Sequence, residues 1–489
     1  MHLTGQFIAD ATGGILRGSA AGATAAGPIA TDTRDLASGC WFLALMGPRF
    51  DGHAYAAQAR AKGALGGIFS REPEGWEGPW VEVSNTTQAL QDLARAVRRG
   101  LGVPVIALTG SSGKTSTRGM IAAAVGQLGR VHQTSGNLNN HLGVPMSLLA
   151  TPEDAAVLVL ELGTSSPGEI GFLAQMCAPD VGVVINVGPA HLEELGGLDG
   201  VAVEKGALLR ALGSAGVAVV NADDPRVVGM PSPASHRLDW GRQGRVQLLD
   251  ARIDPDTLGT HARYRIAADL HRSGAANVAA HQPAAAAPPE QVLDVVLALP
   301  GLHLAHNAGA ALAVAAALGL DLSRAAADLS DWQPVGRRNR VEALPGGVRL
   351  LDDAYNANPA SMVAALDLLA MLPGGRRVAW LGDMLELGPG SSAHHSEVVR
   401  AAVERGVDLL LLGGERFAAA GEGGGCPCWR GDPPELARRL ADWLQPGDWV
   451  LVKGSRGARM ERGIDALRAE LAASPPGAAQ TEQPHGEQA

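Results

Sequence analysis

The stretch VIALTGSSGKTSTRGMIAAAVGQL, residues 105–128, decides the reading of the fold. An unbroken apolar run, a glycine turn and an Ala-rich segment predict a strand buried on both faces, a tight loop and a helix, the context a phosphate-binding loop requires. In that context the backbone amides from Gly110 to Thr115 cradle phosphates, Lys114 reaches the outer ones and the Thr115 hydroxyl can ligate Mg²⁺. The spacing is short, because only Ser111 and Ser112 separate Gly110 from Gly113, where the general pattern has four residues before Gly-Lys.

Outward from this stretch the chain repeats the same alternation. VPVIAL, AAVLVLEL, VGVVINV and AGVAVVN between residues 103 and 221 are short apolar runs separated by helical patterns, which predicts parallel strands buried on both faces. After about residue 333 a second series begins with GVRLLDDAY, RRVAWLG, DLLLLGG and DWVLVKG. The first 85 or so residues carry their own strands, CWFLALMG and GALGGIFS, and a helix around HAYAAQARAKGA. The fold class is therefore α/β in three units, as a length of 489 residues also suggests. The stretch at 272–291 and the tail at 472–489 are rich in Ala, Pro and Gln; they read as a loop insertion and a disordered tail.

Composition excludes several classes. A net charge of -10 argues against nucleic-acid or anionic-membrane binding by bulk electrostatics. No apolar run reaches the ~18 residues of a membrane span, and the first residues lack a signal-peptide pattern, so a cytoplasmic protein is expected. Cys40, Cys177, Cys426 and Cys428 are scattered and lack zinc spacing, and read as reduced thiols.

Ligands of open parallel sheets bind beyond the carboxyl ends of the strands. Glu161 ends AAVLVLEL and His191 follows VGVVINV. With Thr115 they form an oxygen, a carboxylate and an imidazole around a phosphate site, which suggests nucleotide-bound Mg²⁺ and, through the histidine, a second metal position. Lysine is rare here: Lys62, Lys114, Lys205 and Lys453 are the four, so 36 of the 40 basic residues are arginine. Lys205, in the predicted amphipathic helix AVEKGALLRAL (202–212), would be repelled as an ammonium by two divalent cations. An amine that captures CO2 becomes a carbamate, an anion with two oxygens suited to bridging metals; the guanidinium of arginine stays protonated and cannot.

Together these residues resemble the Mur ligases, ATP-dependent amide-forming enzymes of peptidoglycan synthesis. The resemblance runs from about residue 28 to 465 through TGSSGKTS, NVGPAHLE, the lysine of VEKGALL, NADDP, GLHLAHN and VGRRNR, in family order. NLNNHLGVPMSLL, DDAYNANPASM, LGDMLELG and VLVKGSRGARMER resemble the branch that joins D-alanyl-D-alanine to UDP-MurNAc-tripeptide. The resemblance implies a UDP-sugar-binding domain (1–85), a central P-loop ATPase domain with a mainly parallel sheet (86–332) and a Rossmann-like C-terminal domain (333–471). It implies ATP contacts at Gly110, Ser111, Ser112, Gly113, Lys114, Thr115, Ser116, His303, Asn307, Arg337 and Asp353. Substrate contacts are implied at Asp32, Thr33, Arg34, Phe50, Asp51, Gly52, His53, Asn137, Asn139, Asn140 and Lys453. Thr115, Glu161, His191 and carbamylated Lys205 would serve two Mg²⁺, and Lys114, Glu161, His191, Lys205 and Arg337 would be catalytic. Leu304 and Ala354 depart from the pattern, which usually has Asn and Ser there. Ser165 and Ser166, where an Asn-containing pair is often found, read as turn formers.

The expected chemistry is γ-phosphoryl transfer to the tripeptide carboxylate, attack by the D-Ala-D-Ala amine on the acyl phosphate, and release of ADP and phosphate. Domain closure about hinges near residues 85 and 333 would bring Arg337 and Asp353 to the nucleotide. A bacterial, monomeric enzyme is expected. Two alternatives differ in class or substrate. A folylpolyglutamate synthase shares the ATPase logic but not DDAYNANP, and a nucleotide switch would have no use for a UDP-binding domain.

Overall fold

A computed structural model describes residues 1–18, 21–268, 270, 290–334, 336, 339–420 and 427–473. Most of the expected insertion, Arg337, Cys426 and the chain beyond residue 473 lie outside the described residues. Two edges move. Gln291 already belongs to the strand Gln291–Leu297, and Ala472 and Ala473 close the helix Glu461–Ala473 instead of opening the tail.

Three large sheets follow one another along the chain, beside two two-stranded ribbons in the N-terminal unit, Leu3–Thr4 with Ala26–Gly27 and Met46–Gly47 with Phe50–Asp51. The first has five strands in the order Ile15–Arg17, Trp80–Glu82, Gly66–Phe69, Trp41–Leu43, Ile29–Ala30, and is parallel except for Ile15–Arg17 at its edge. The middle sheet has nine strands with Val105–Thr109 third, between Ala155–Glu161 and Val181–Val184. Its first seven strands, from Arg130–Gln133 to Val246–Ile253, pair in parallel. Thr260–Ile266 and Gln291–Leu297 then turn it antiparallel. The C-terminal sheet has six strands and is parallel apart from its edge strand Arg340–Ala343.

The unalternated apolar runs are explained by two cores, one on each face of the middle sheet. Ile106, Leu108, Val157, Val159, Val181 and Val183 face one, closed by the Ala-rich helix Leu302–Ala317, nearly all of which is buried. Val105, Ala107, Leu158, Leu160 and Val220 face the other. That second core also contains Leu3, Ile8, Trp41, Leu43, Ile68 and Val81 of the N-terminal unit. The helix Thr86–Gly100, capped by Asn85 on Gln88 N, seals the two together with Leu90, Leu93 and Val97. The hinge expected near residue 85 is thus corrected, because a continuous apolar core crosses it. The C-terminal sheet keeps its own cores and meets the middle unit through polar contacts and the hairpin residues Ile253 and Leu258.

Candidate active site

The phosphate loop leaves the strand Val105–Thr109 and enters the helix Lys114–Ala124 through Gly113, whose φ of 78° is the left-handed region that glycine tolerates. A Cβ there would also stand 3.3 Å from Asn307 Oδ1, so Asn307 packs directly over the turn. Asn186, which follows the strand Val181–Val184, accepts from the amides of Ser111 and Ser112 through Oδ1 at 3.0 Å each. Those two amides are committed to shaping the loop, which narrows the expected amide cradle. The helix has no side-chain cap, leaving its first-turn amides, beginning at Lys114, as the loop's anion-binding edge. Lys114 Nζ donates to Gly110 O at 2.8 Å, folding back along the loop.

Glu161 lies at the end of its strand, as the topology requires, and is almost wholly buried. Thr115 Oγ1 donates to Glu161 Oε2 at 2.9 Å, Asn139 Nδ2 to Oε1 at 2.9 Å, and Arg118 Nη1 to Oε2 at 3.2 Å. Arg118, one turn after Lys114, is equally buried and neutralises the carboxylate. The hydroxyl and carboxylate side by side are hard oxygen donors and fit a nucleotide-bound Mg²⁺.

Lys205 is 2% exposed. Burial, reinforced by the charge of Lys114, pushes its ammonium well below the usual lysine range, and only Glu204 opposes this. Glu204 is itself occupied: it accepts from the amides of Gly168 and Ile170 at 2.7 Å each. Lys205 makes no hydrogen bond or ion pair among the described residues. A lysine at this depth does not fit a solvated surface charge. The described residues hold no group of three His, Cys, Asp or Glu side chains as a ready-made metal cage. Thr115 and Glu161 touch, whereas His191 and Lys205 stand apart from them.

A cavity of about 830 Å³ opens between the middle and C-terminal units. It gathers the phosphate loop, Asn137, Asn139, Asn140, Glu161, His191, His303, Asn307, Asp353 and Lys453. Asn140 caps the turn into the helix Gly143–Leu149 through the amides of Leu142 and Gly143. Asn137 is therefore the one of the three asparagines whose side chain is exposed and engages no partner among the described residues. Asp353 and Lys453 sit opposite each other on paired strands and form an ion pair, and Lys453 Nζ also donates to Asn356 O at 3.0 Å. Lys453 is 3% exposed and presents Asp353 more than itself. Leu304 is buried in the core, so its side chain has no nucleotide-side role, and Ala354 is likewise buried. The amides of Ser165 and Ser166 donate to Glu169 Oε2, which makes these serines part of a turn.

Several residues of the site were not singled out in the sequence. Asn339, in the left-handed region at φ 49°, bridges the units: its Nδ2 lies 2.7 Å from His303 Nε2, and its amide donates to Asp353 Oδ1 at 3.4 Å. His306 takes Trp240 Nε1 on one ring nitrogen and lies 3.3 Å from Asp223 Oδ2 with the other. Asn358 Nδ2 reaches Ser111 O at 3.4 Å from the C-terminal unit. Asn186 and Arg118 lie inside or beside the recognised motifs, and helical spacing from Lys114 was the available signal for Arg118. The others depend on how the units meet.

The segments expected to hold the UDP-sugar lie outside this cavity, on the N-terminal unit. Asp32 is paired with Arg34, whose guanidinium and amide hold the carboxyl down at about 2. Thr33 Oγ1 donates to Gln58. Lys62, which the sequence left unexplained, donates Nζ to the carbonyls of Thr33 and Arg34 at 2.7 and 3.2 Å. Asp51 caps Gly52–Tyr55 through the His53 amide, pairs with Arg71 and lies 2.7 Å from His53 Nδ1; its carboxyl also falls to about 2. Ser70 N donates to His53 Nε2, so the buried imidazole ties the turn to the sheet, while Phe50 remains exposed. Cys40, Cys177 and Cys428 are free thiols.

Known proteins match this arrangement along most of the chain. The Mur ligase family catalytic domain matches residues 28–98, the Mur ligase middle domain 108–315 and the Mur ligase glutamate ligase domain 336–456. The UDP-N-acetylmuramoyl-tripeptide–D-alanyl-D-alanine ligase of Escherichia coli is 38% identical, covering 90% of this chain and 93% of that protein. The enzyme of the same name from Bacillus subtilis is 33% identical over 90% and 92%. MurF from Acinetobacter baumannii superposes with a TM-score of 0.84 at 32% identity, covering 96% of this chain and 99% of that one. The MurF ligase from Thermotoga maritima in complex with ADP gives 0.78 at 28% identity, over 91% and 98%. Phosphate loop, strand-end carboxylate and matched domains agree, and this chain belongs to the Mur ligase family of ATP-dependent ligases.

Proposed function

We propose that this enzyme joins D-alanyl-D-alanine to UDP-MurNAc-tripeptide with ATP, in the bacterial cytoplasm and as a monomer. The observation that carries the reading is the 830 Å³ cavity, whose walls combine a phosphate loop with the DDAYNANP and KGSRG segments of a second unit. A carboxylate cannot acylate an amine directly, because oxide is too poor a leaving group. Transfer of the γ-phosphoryl group to the tripeptide carboxylate gives an acyl phosphate; amine attack then expels phosphate. Lys114 and the uncapped helix amides stabilise the charge that passes between the oxygens. Mg²⁺, held by Thr115 and Glu161 and at a second position by His191 and carbamylated Lys205, would neutralise phosphate charge when bound. Arg118 holds Glu161 in place through its ion pair, and Asn339 with Lys453 holds Asp353 beside the nucleotide. Arg337 is assigned to the nucleotide by resemblance alone. We place the units at 1–85, 86–332 and 333–471, with the UDP-sugar over Asp32–Arg34 and Phe50–His53 and the peptide reaching past Asn137.

Incubation with ATP, Mg²⁺, D-Ala-D-Ala and a panel of UDP-MurNAc-tripeptides should yield the pentapeptide mass with stoichiometric ADP and phosphate. ATP hydrolysis without that product would overturn the reading in favour of a switch or a different acceptor.

A further inference from the structure

His191 and Glu386 share an unusual backbone state. Both have positive φ, 52° and 63°, although neither is glycine, a backbone state that persists only where the surroundings impose it. They come from different units, yet meet: His191 Nδ1 lies 2.8 Å from Glu386 Oε2. His191 Nδ1 is buried and makes no hydrogen bond among the described residues, so the Glu386 carboxylate is the polar group that stands against it.

The loop bearing Glu386 is built to aim it. Met384 N donates to His395 Nε2 at 3.0 Å, and the fully buried His395 is fixed in turn by Ser391 O at 2.7 Å. Leu385 N donates to Ser455 Oγ at 3.0 Å, and Asp383 takes the Phe417 amide at 3.0 Å. Just beyond, a Cβ on Gly388 would stand 3.0 Å from Glu193 Cβ, so the loop lies against the short helix that His191 opens. Both Glu386 and His191 line the shared cavity.

We propose that Glu386 is a positioning residue supplied by the C-terminal unit on closure: by taking His191 Nδ1 it fixes the ring and presents Nε2 to the cavity. A carboxylate on one imidazole nitrogen sets the tautomer and raises the basicity of the other, the arrangement that orients metal-binding histidines elsewhere. Assembly of the second cation position is thereby coupled to domain closure. The inference rests on the proposed role of His191 as a metal ligand.

The test is Mn²⁺ binding to the full chain with a non-hydrolysable ATP analogue, read by electron paramagnetic resonance, in wild type, Glu386→Ala, Glu386→Gln, His191→Ala and the double alanine variant. Wild type should bind two Mn²⁺. Glu386→Ala should weaken the second by about tenfold or more. Glu386→Gln, whose amide oxygen can still accept from Nδ1–H, should retain most of the affinity. His191→Ala should lose the second ion, and Glu386→Ala should add nothing in that background. If His191→Ala removes the second ion while Glu386→Ala leaves it untouched, the positioning role is overturned and the reading of His191 stands. If His191→Ala keeps both ions, the metal reading fails and the inference with it. An effect of Glu386→Ala on the KM for D-Ala-D-Ala that persists unchanged without His191 would also overturn the proposal, placing Glu386 on the substrate.

Discussion

At the scale of the residue, the four lysines divide by what surrounds them. Lys62 fastens the TDTR turn, Lys114 lies along the phosphate loop, Lys453 holds Asp353, and Lys205 is buried without a partner among the described residues. The rarity of lysine was visible in the sequence, and so was the candidacy of Lys205, but its depth was not, because burial depends on the helix packing over it. Its ammonium is depressed relative to the unfolded chain, so the unfolded state binds more protons between the folded value and about 10.4. Stability therefore rises with pH through that window. In CO2-free buffer without metal, Lys205→Met should unfold at a higher temperature than wild type near pH 7, and the gap should close as pH approaches 10. Each kcal/mol gained should raise the midpoint by about 1–2 °C for a cooperative block of this size. The same variant should lose ligation, as should Lys205→Arg. A fully active Lys205→Arg enzyme would return this lysine to a simple charge role.

At the scale of the element, strand, turn and helix of the phosphate loop were legible because each is set locally: apolar run, glycine, helix former. What the turn packs against was not, since Asn186 and Asn307 arrive from 73 or more positions away in sequence. Likewise the antiparallel end of the middle sheet escaped notice. Its strands, such as Thr260–Ile266, alternate buried and exposed residues and lack the continuous apolar run of their neighbours. Gly113→Ala should raise the KM for ATP and cost about 1–2 kcal/mol, because it forces a Cβ into the left-handed region beside Asn307. Lys114→Ala should lower kcat by about 10²–10³-fold with an unchanged circular dichroism spectrum, since it removes phosphate stabilisation and no core packing. Near wild-type rates in either would displace the nucleotide from this loop.

At the scale of the whole molecule, the three-unit α/β plan and the order of its motifs could be read from the sequence, whereas the contacts between units could not. Asn339 with His303, Asn358 with Ser111 and Glu386 with His191 are all tertiary meetings of residues far apart in the chain. A chain ending at residue 332 should still bind a fluorescent ATP analogue through the phosphate loop, although more weakly, and make no pentapeptide; an active truncation would refute closure. The apolar core that runs from Trp41 and Ile68 to Leu158 and Leu173 has a further consequence. Melting follows cooperative packing and not the count of sheets. Differential scanning calorimetry should therefore record two endotherms: one for the N-terminal and middle units melting as a single block, and one for the C-terminal unit alone. Nucleotide should draw the two together by bridging the blocks.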